Sequence, residues 1–373
     1  MKAAAQRLES LDVFRGATIA AMILVNNPGD WNFVYAPLLH AYWFGCTFAD
    51  LVFPWFVFIM GVAMPFAFAR RRERGDRTSQ VFGRIAQRVL LLIGLGLAMT
   101  AVATWPALAT LRFPGVLQRI ALSYLLAALV IWKFEVRGWM TAVAVLLLGH
   151  WALIALVPFG GFAGGTWSPE HNLARYLDTL VFGRHALTIP NDPEGLLGTL
   201  PAAATGLIGA VAGELMRRAA DHLTRLRGLA VGGVAAFAVG VVWSYVLPLS
   251  KPLWTGSYVL VVTGLGMLAL ALIYFLVDVR GLRGWSRPFL WLGVNPIAIY
   301  ICSEVIGHLL ERPLLPQGSG RTTPKAWLFW RYIEPALHRW PTERASFAFG
   351  MAYVALWVMV AGVLYSRRIR IQV

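Results

Sequence analysis

Gly256-Ser257-Tyr258-Val259-Leu260-Val261-Val262-Thr263-Gly264-Leu265-Gly266-Met267-Leu268-Ala269-Leu270-Ala271-Leu272-Ile273-Tyr274-Phe275-Leu276-Val277 runs without a single charge. Roughly 20 consecutive apolar residues are what an α-helix needs to cross the hydrocarbon core of a bilayer. A helix also satisfies its own backbone polar groups where no water can. Comparable stretches lie to either side, at about 12–28, 48–69, 85–104, 114–132, 138–158, 196–216, 227–248, 288–309 and 346–366. Together they predict ten spans in a chain of 373 residues that is 58% hydrophobic. Only 14% of the residues are charged, where soluble proteins carry about 25%, and the mean hydropathy is +0.64. A soluble globular domain is excluded. The expected fold is all-α: one polytopic helical bundle over 1–373, with long connections at about 29–47, 159–195 and 310–345.

The charge pattern sets the expected orientation. A net charge of +15 would suggest a nucleic-acid partner in a soluble protein, but here the arginines gather on alternate connections. They are Arg70, Arg71, Arg72, Arg74, Arg77 and Arg84, then Arg217, Arg218, Arg225 and Arg227, then Arg280, Arg283 and Arg287, and finally Arg367, Arg368 and Arg370. Placing these in the cytoplasm leaves about 20 Lys and Arg inside and about 10 outside, the positive-inside pattern. Both termini are then cytoplasmic, the bilayer is the partner and no nucleic acid is expected. The same arginines also suit an anionic ligand at the cytoplasmic face. No small-residue cleavage site follows the first apolar run, which predicts a retained first helix. Cys46 and Cys302 are too few for a disulfide framework. No HExxH or CxxC spacing occurs, and no metal is expected.

Polar residues inside spans are costly and mark function by default. The first span opens with Asp12 and Arg15 at i, i+3, which read as an ion pair or as a phosphate-binding arginine. It closes with Asn26, placed to cap the helix or to face a ligand. His40 follows at the outer surface, where a neutral imidazole can take a proton or carry an acyl group. Asp50, at the start of the second span, reads either as a helix cap or as the carboxylate that orients an imidazole. His150, His222, His308 and His338 read as packing or surface residues. Gln118 and Arg119 interrupt the fourth span, while Asn295-Pro296 and Glu304 interrupt the ninth. With the first span these offer the walls of a polar shaft. The outer 159–195 segment mixes Trp167, His171, Asn172, Asp192 and Glu194, a composition that suits either a sugar platform or an interfacial loop.

Several motifs carry a resemblance: Ser10-Leu11-Asp12-Val13-Phe14-Arg15-Gly16, Asn26-Asn27-Pro28-Gly29, His40-Ala41-Tyr42-Trp43-Phe44-Gly45 and Ala49-Asp50-Leu51-Val52-Phe53-Pro54-Trp55-Phe56. Gly115-Val116-Leu117-Gln118-Arg119-Ile120, Asp192-Pro193-Glu194-Gly195-Leu196-Leu197, Leu253-Trp254-Thr255-Gly256-Ser257-Tyr258 and Gly293-Val294-Asn295-Pro296 continue it along nearly the whole chain. The sequence resembles the heparan-alpha-glucosaminide N-acetyltransferase family of transmembrane acyltransferases, in its compact bacterial form. The resemblance implies acetyl transfer from cytoplasmic acetyl-CoA to the amine of a glucosamine-type sugar across a bacterial inner membrane. It maps the active histidine onto His40 and a neighbouring asparagine onto Asn26, with Asp50 completing the catalytic candidates. It makes Asp12, Arg15, Gln118, Arg119 and Asn295 candidates for the CoA path. Trp43, Asp192, Glu194 and Trp254 become candidates for the sugar, and a homodimer is implied.

Sequence leaves open whether His40 acts as general base in a ternary complex or carries the acetyl group. An amino-sugar permease and an O-acyltransferase of envelope polysaccharide are the competing readings. A permease more often gathers its key groups at the midplane, whereas here His40, Asn26 and Asp50 lie toward one face and the arginines toward the other.

Overall fold

The computed structural model describes residues 8–187, 191–317, 320–337 and 341–371; His338 lies outside them. Helices occupy all ten predicted spans. They are α1 (Glu9–Asn26), α2 (Phe48–Glu73), α3 (Thr78–Thr104), α4 (Val116–Lys133), α5 (Val136–Leu156), then, beyond α6 (Leu173–Phe182) in the long outer connection, α7 (Thr199–Arg218), α8 (His222–Ser244) and α9 (Gly256–Tyr274). The series ends with α10 (Arg287–Val294), α11 (Pro296–Leu310), a hairpin of β1 (Leu315–Gln317) and β2 (Gly320–Thr322), the short α12 (Pro324–Leu328) and α13 (Glu334–Ala336), and α14 (Thr342–Ser366). Among the described residues, eight of these are individually long and apolar enough to cross a membrane: α2, α3, α4, α5, α7, α8, α14, and α9 with the π-helical turn that continues it to Val279. The protein is a helical polytopic membrane protein.

Two predicted spans differ from a plain apolar rod. The ninth is broken: α10 and α11 meet at 88°, because Pro296 has no N–H to continue the ladder and Asn295 leaves helical geometry at φ −125°, ψ 50°. The first carries Glu9, Asp12 and Arg15 in its opening turns, which keeps it from being a plain apolar span. α3 starts seven residues before the expected 85, because Arg84 and Arg88 continue its helix out of the apolar zone.

Glycine sets the depth of packing at the centre. α2 lies on α7 and α1 on α10 with backbones close enough that a Cβ on Gly61 would overlap the Gly206 carbonyl oxygen, and one on Gly16 the Phe289 carbonyl oxygen. Such small-residue contacts are how helices associate where lipid removes the hydrophobic drive. The buried helices are thus α1, α2, α4, α7 and α9. α3, α5, α8 and α14 wrap them and expose rows of aliphatic side chains such as Val231, Val234, Val239 and Val242.

Candidate active site

The outer ends of α2 and of the α8–α9 connection converge on His40. Its loop is closed by Thr47, whose hydroxyl donates to the Leu39 carbonyl at 2.7 Å. It is tied to the α8–α9 connection by the Gly45 N–H, which donates to the Leu249 carbonyl at 2.8 Å. Gly45 has φ +114°, a conformation glycine adopts without steric cost. Asp50 lies in the first turn of α2, fully buried. One of its oxygens, Oδ2, accepts from the Thr47 N–H, the Thr47 hydroxyl and the Ala41 N–H, each at 3.0 Å. The other, Oδ1, faces His40 Nδ1 at 2.8 Å. Thr47 is the N-cap and Asp50 the reciprocal partner three residues on, the capping-box arrangement. Both readings of Asp50 therefore hold, with one oxygen for each.

A carboxylate only accepts hydrogen bonds, so His40 carries its proton on Nδ1 and leaves Nε2 as a base. The side chain is 49% exposed, open to an incoming molecule.

The sequence reading missed Lys251. Its Nζ lies 3.1 Å from His40 Nδ1 and 3.2 Å from Nε2, and 3.7 Å from Asp50 Oδ1. An atom that close to both ring nitrogens cannot lie in the ring plane, where Cε1 fills the space, so the ammonium sits against the imidazole face. Burial pushes the Lys251 ammonium below its ordinary value, while Asp50 and Glu194 pull it back up. Cys46 is next to this cluster, and burial with the Asp50 charge pushes its thiol up to about 12, so no thiolate competes with the imidazole. The signal available in sequence was the lone lysine in the loop immediately before the matched Leu253–Tyr258 motif.

Two cavities share walls from α1, α3, α4 and α11, and α2 supplies most of the lining of the first. The first, of about 270 Å³, is lined by Arg15, Arg71, Arg84 and Arg88 with Met60, Tyr124 and Ile297. Arg71 Nη1 and Arg88 Nε are buried without hydrogen-bond partners, and the Arg88 guanidinium lies 4.7 Å over the Tyr124 ring. The second, of about 600 Å³, is lined by Asn26, Thr100, Arg112, Tyr300, Glu304 and His308, among others. On α4 the linings are separated by one turn, Val116 to Ile120, and on α11 by Ile297 to Tyr300. Between them Gln118 is buried against Gly96 and Gly115, with neither amide atom hydrogen-bonded. The two cavities thus lie in series along α1, α3, α4 and α11, with Gln118 on α4 between the positions that line them.

Several expected site residues serve the scaffold. Asn26 donates to Glu304 Oε1 at 3.1 Å, so its described partner is that carboxylate and not His40. Asn295 holds the C-terminal segment, donating to the Ile369 carbonyl and accepting from the Ile371 N–H. Trp43 is buried in the outer apolar cluster with Phe159 and Leu253, its indole N–H on the Trp167 carbonyl. Trp254 is fully buried, its ring 4.9 Å beneath the Arg119 guanidinium. Neither indole offers a face to a sugar. Arg119 donates to the Gly195 carbonyl and so sits at the outer end of α4, away from the basic cavity. Arg15 pairs with Asp12 at 3.1 Å and also lines the basic cavity.

Asp192 and Glu194 both bind Arg112, the former through two hydrogen bonds. Burial alone would raise the Asp192 carboxyl, but the Arg112 hydrogen bond and charge hold it below the usual carboxylate range. Asp192 is thus a clamp on the cavity wall. Among the described residues no cluster of His, Cys, Asp and Glu could hold a metal ion.

A model of the heparan-alpha-glucosaminide N-acetyltransferase catalytic family matches residues 7–219, more than half of the chain. The chain belongs to that family. The matched segment contains His40, Asp50, the basic cavity's arginines and Asp192; Lys251 lies beyond it. The heparan-alpha-glucosaminide N-acetyltransferase of Homo sapiens is 28% identical over 425 aligned residues, covering 97% of this chain. The Mus musculus enzyme of the same name is 28% identical over 429, covering 99%. The chain spans 59% and 61% of the length of these relatives.

Proposed function

We propose that this protein is an acetyl-CoA-dependent N-acetyltransferase that acetylates the amine of a glucosamine-type sugar on the side of the membrane opposite its acetyl donor. The observation that carries the reading is the pairing of a four-arginine cavity on one side of the bundle with a carboxylate-oriented histidine toward the other. From Asp50 to Arg71 along α2 is 21 residues, about 30 Å of helix, close to the hydrocarbon thickness.

The basic cavity fits the phosphates of CoA. Guanidinium groups bind phosphate through charge-assisted hydrogen bonds; Arg88 Nε and Arg71 Nη1 make none there, although Asp76 pairs with Arg84 at 3.0 Å and with Arg71 Nη1 at 3.9 Å. Past it, the unpaired Gln118 amide suits the amides of a pantetheine arm, and the outer cavity takes the acetylated end together with the sugar. Arg112 lines that cavity, while His40, Asp50 and Lys251 lie outside the linings of both cavities, so the thioester end must pass beyond the cavity to reach the imidazole.

His40 Nε2 then accepts a proton as the sugar amine attacks the thioester carbon, and returns it to the departing thiolate. Asp50 holds the imidazole tautomer and stabilises the imidazolium. Direct attack in a ternary complex is the preferred route, and a stable acetyl group on His40 in single turnover would replace it with the ping-pong alternative. We place the protein in a bacterial inner membrane as a single domain, its arginine-rich connections cytoplasmic.

The test is acetyl transfer from labelled acetyl-CoA to glucosamine by purified protein in detergent, with CoA release followed in parallel. Wild type should release CoA only with glucosamine present, and His40→Ala should abolish both signals. Acetyl-CoA binding without amine acetylation would overturn the acceptor. No binding at all would favour the permease.

A further inference from the structure

We infer that Lys251 is a catalytic residue whose ammonium stabilises the oxyanion formed when the thioester carbonyl is attacked beside His40. The inference rests on the acetyl-transfer reading above and adds to it the group that receives the negative charge.

The geometry places a cation where that charge must develop. A nucleophile handing its proton to His40 Nε2 lies within hydrogen-bond reach of that atom, and the carbonyl it attacks is one bond further on. Lys251 Nζ, 3.2 Å from the same Nε2, is the nearest described cation on that side of the ring. Arg112 is held by Asp192 and Glu194; Arg119, fully buried over the Trp254 ring, gives one hydrogen bond to the Gly195 carbonyl and leaves Nε and Nη1 without a hydrogen bond. Asn26, the asparagine that the resemblance pairs with His40, is engaged by Glu304.

The charges also balance through the step. Before attack, the Lys251 ammonium faces the Asp50 carboxylate at 3.7 Å across a neutral imidazole. As the amine nitrogen bonds to the thioester carbon, the carbonyl π electrons move to oxygen and the amine proton moves to His40. Asp50 then faces an imidazolium and Lys251 an oxyanion. Collapse re-forms the carbonyl, breaks the carbon–sulfur bond and passes the proton from His40 to the thiolate. A preorganised donor of this kind need not reorient as charge forms.

The loop that carries Lys251 is rigid. The Ser257 hydroxyl donates to the Leu247 carbonyl at 2.6 Å and the Thr255 hydroxyl to the Pro248 carbonyl at 2.9 Å. The Ser250 N–H donates back to Thr255 Oγ1 at 3.1 Å. Trp254 is held at φ +53°, a left-handed conformation that costs free energy for a bulky side chain and persists only where the surroundings impose it.

The test compares Lys251→Met, which removes the charge at similar length, with Lys251→Arg, which keeps it. Lys251→Met should lower kcat roughly 100-fold or more, leave KM for acetyl-CoA and glucosamine within about threefold, and keep acetyl-CoA binding as proof of folding; Lys251→Arg should recover part of kcat. A second readout is the affinity ratio of trifluoroacetonyl-CoA, which hydrates to a tetrahedral adduct, to acetonyl-CoA, which stays a ketone. Wild type should prefer the first, and Lys251→Met should lose the preference. A Met variant with near-wild-type kcat, or one that is slow yet keeps the analogue preference, overturns the inference while leaving the enzyme reading intact. A wild type that acetylates no amine removes both.

Discussion

At the scale of single residues, Asp50 joins folding to chemistry, because Oδ2 closes the first turn of α2 while Oδ1 orients His40. Asp50→Asn keeps an oxygen for the capping contacts and puts an amide against the imidazole in place of a second acceptor. His40 then loses the acceptor that fixes its proton on Nδ1, and kcat should fall by about 100-fold or more. Asp50→Ala should add a loss of thermal midpoint, since the cap contributes roughly 0.5–2 kcal/mol. Turnover and thermal unfolding of both variants check this; an Asn variant within a few-fold of wild type would contradict it. The approach of His40 to Asp50 could be expected from sequence because the two lie ten positions apart on either side of the short turn that opens α2. That of Lys251 could not, since one lysine in a loop looks like any solvated charge until the fold sets it over a ring 211 positions away. Trp43 and Trp254 misled for the opposite reason: aromatics suit sugars, but they suit buried apolar clusters equally well.

Among the elements, the central helices depend on glycine at their crossings. Gly61→Ala should lower the thermal midpoint, with overpacking costing about 1–3 kcal/mol. Gly94→Ala, where an added Cβ meets nothing within 4 Å, should be neutral or stabilising, as alanine is the better helix former. Equal midpoints for the two variants would show that α2 and α7 do not pack in this way. The outer helix α6 carries a pH dependence. Burial pushes the Asp178 carboxyl up to about 6 from an ordinary 3.8, so the folded chain holds this proton more tightly than the unfolded one. The contribution of Asp178 to stability is complete below about 3.8 and is lost as pH rises through about 6. Asp178→Asn should therefore gain on wild type in thermal midpoint between pH 5 and 7.5 and match it near pH 4; a constant gap would contradict the assignment. Hydrophobic runs located these helices to within a few residues, because span length is dictated by the bilayer. The 88° break at Asn295-Pro296 was announced only by the proline, since the composition of the ninth stretch is that of an ordinary span. α6 and the β-hairpin escaped because they lie in connections where no membrane imposes a period.

For the whole molecule, the series of cavities makes the length of the donor a variable. If Arg15, Arg71, Arg84 and Arg88 hold phosphates, Arg84→Ala with Arg88→Ala should raise KM for acetyl-CoA at least 10-fold and leave that for acetyl-pantetheine, which lacks the nucleotide, nearly unchanged. Steady-state kinetics with the two donors decides this, and an equal effect on both would mean that the cavity does not read phosphate. The basic end was legible because positive-inside charge is counted from sequence, whereas the gathering of Arg71, Arg84 and Arg88 around one cavity depends on how α2, α3 and α4 pack, which sequence does not give.

The central claim is that one bundle brings a donor and an acceptor together from opposite sides of a membrane. Its most direct measurement uses sealed proteoliposomes of uniform orientation, with labelled acetyl-CoA on the face of the arginine-rich connections and glucosamine only on the other. N-acetylglucosamine should accumulate on the glucosamine side with CoA left on the donor side, and His40→Ala should stop both. Transfer only when donor and acceptor share one side, or transfer that survives the loss of His40, would contradict the account.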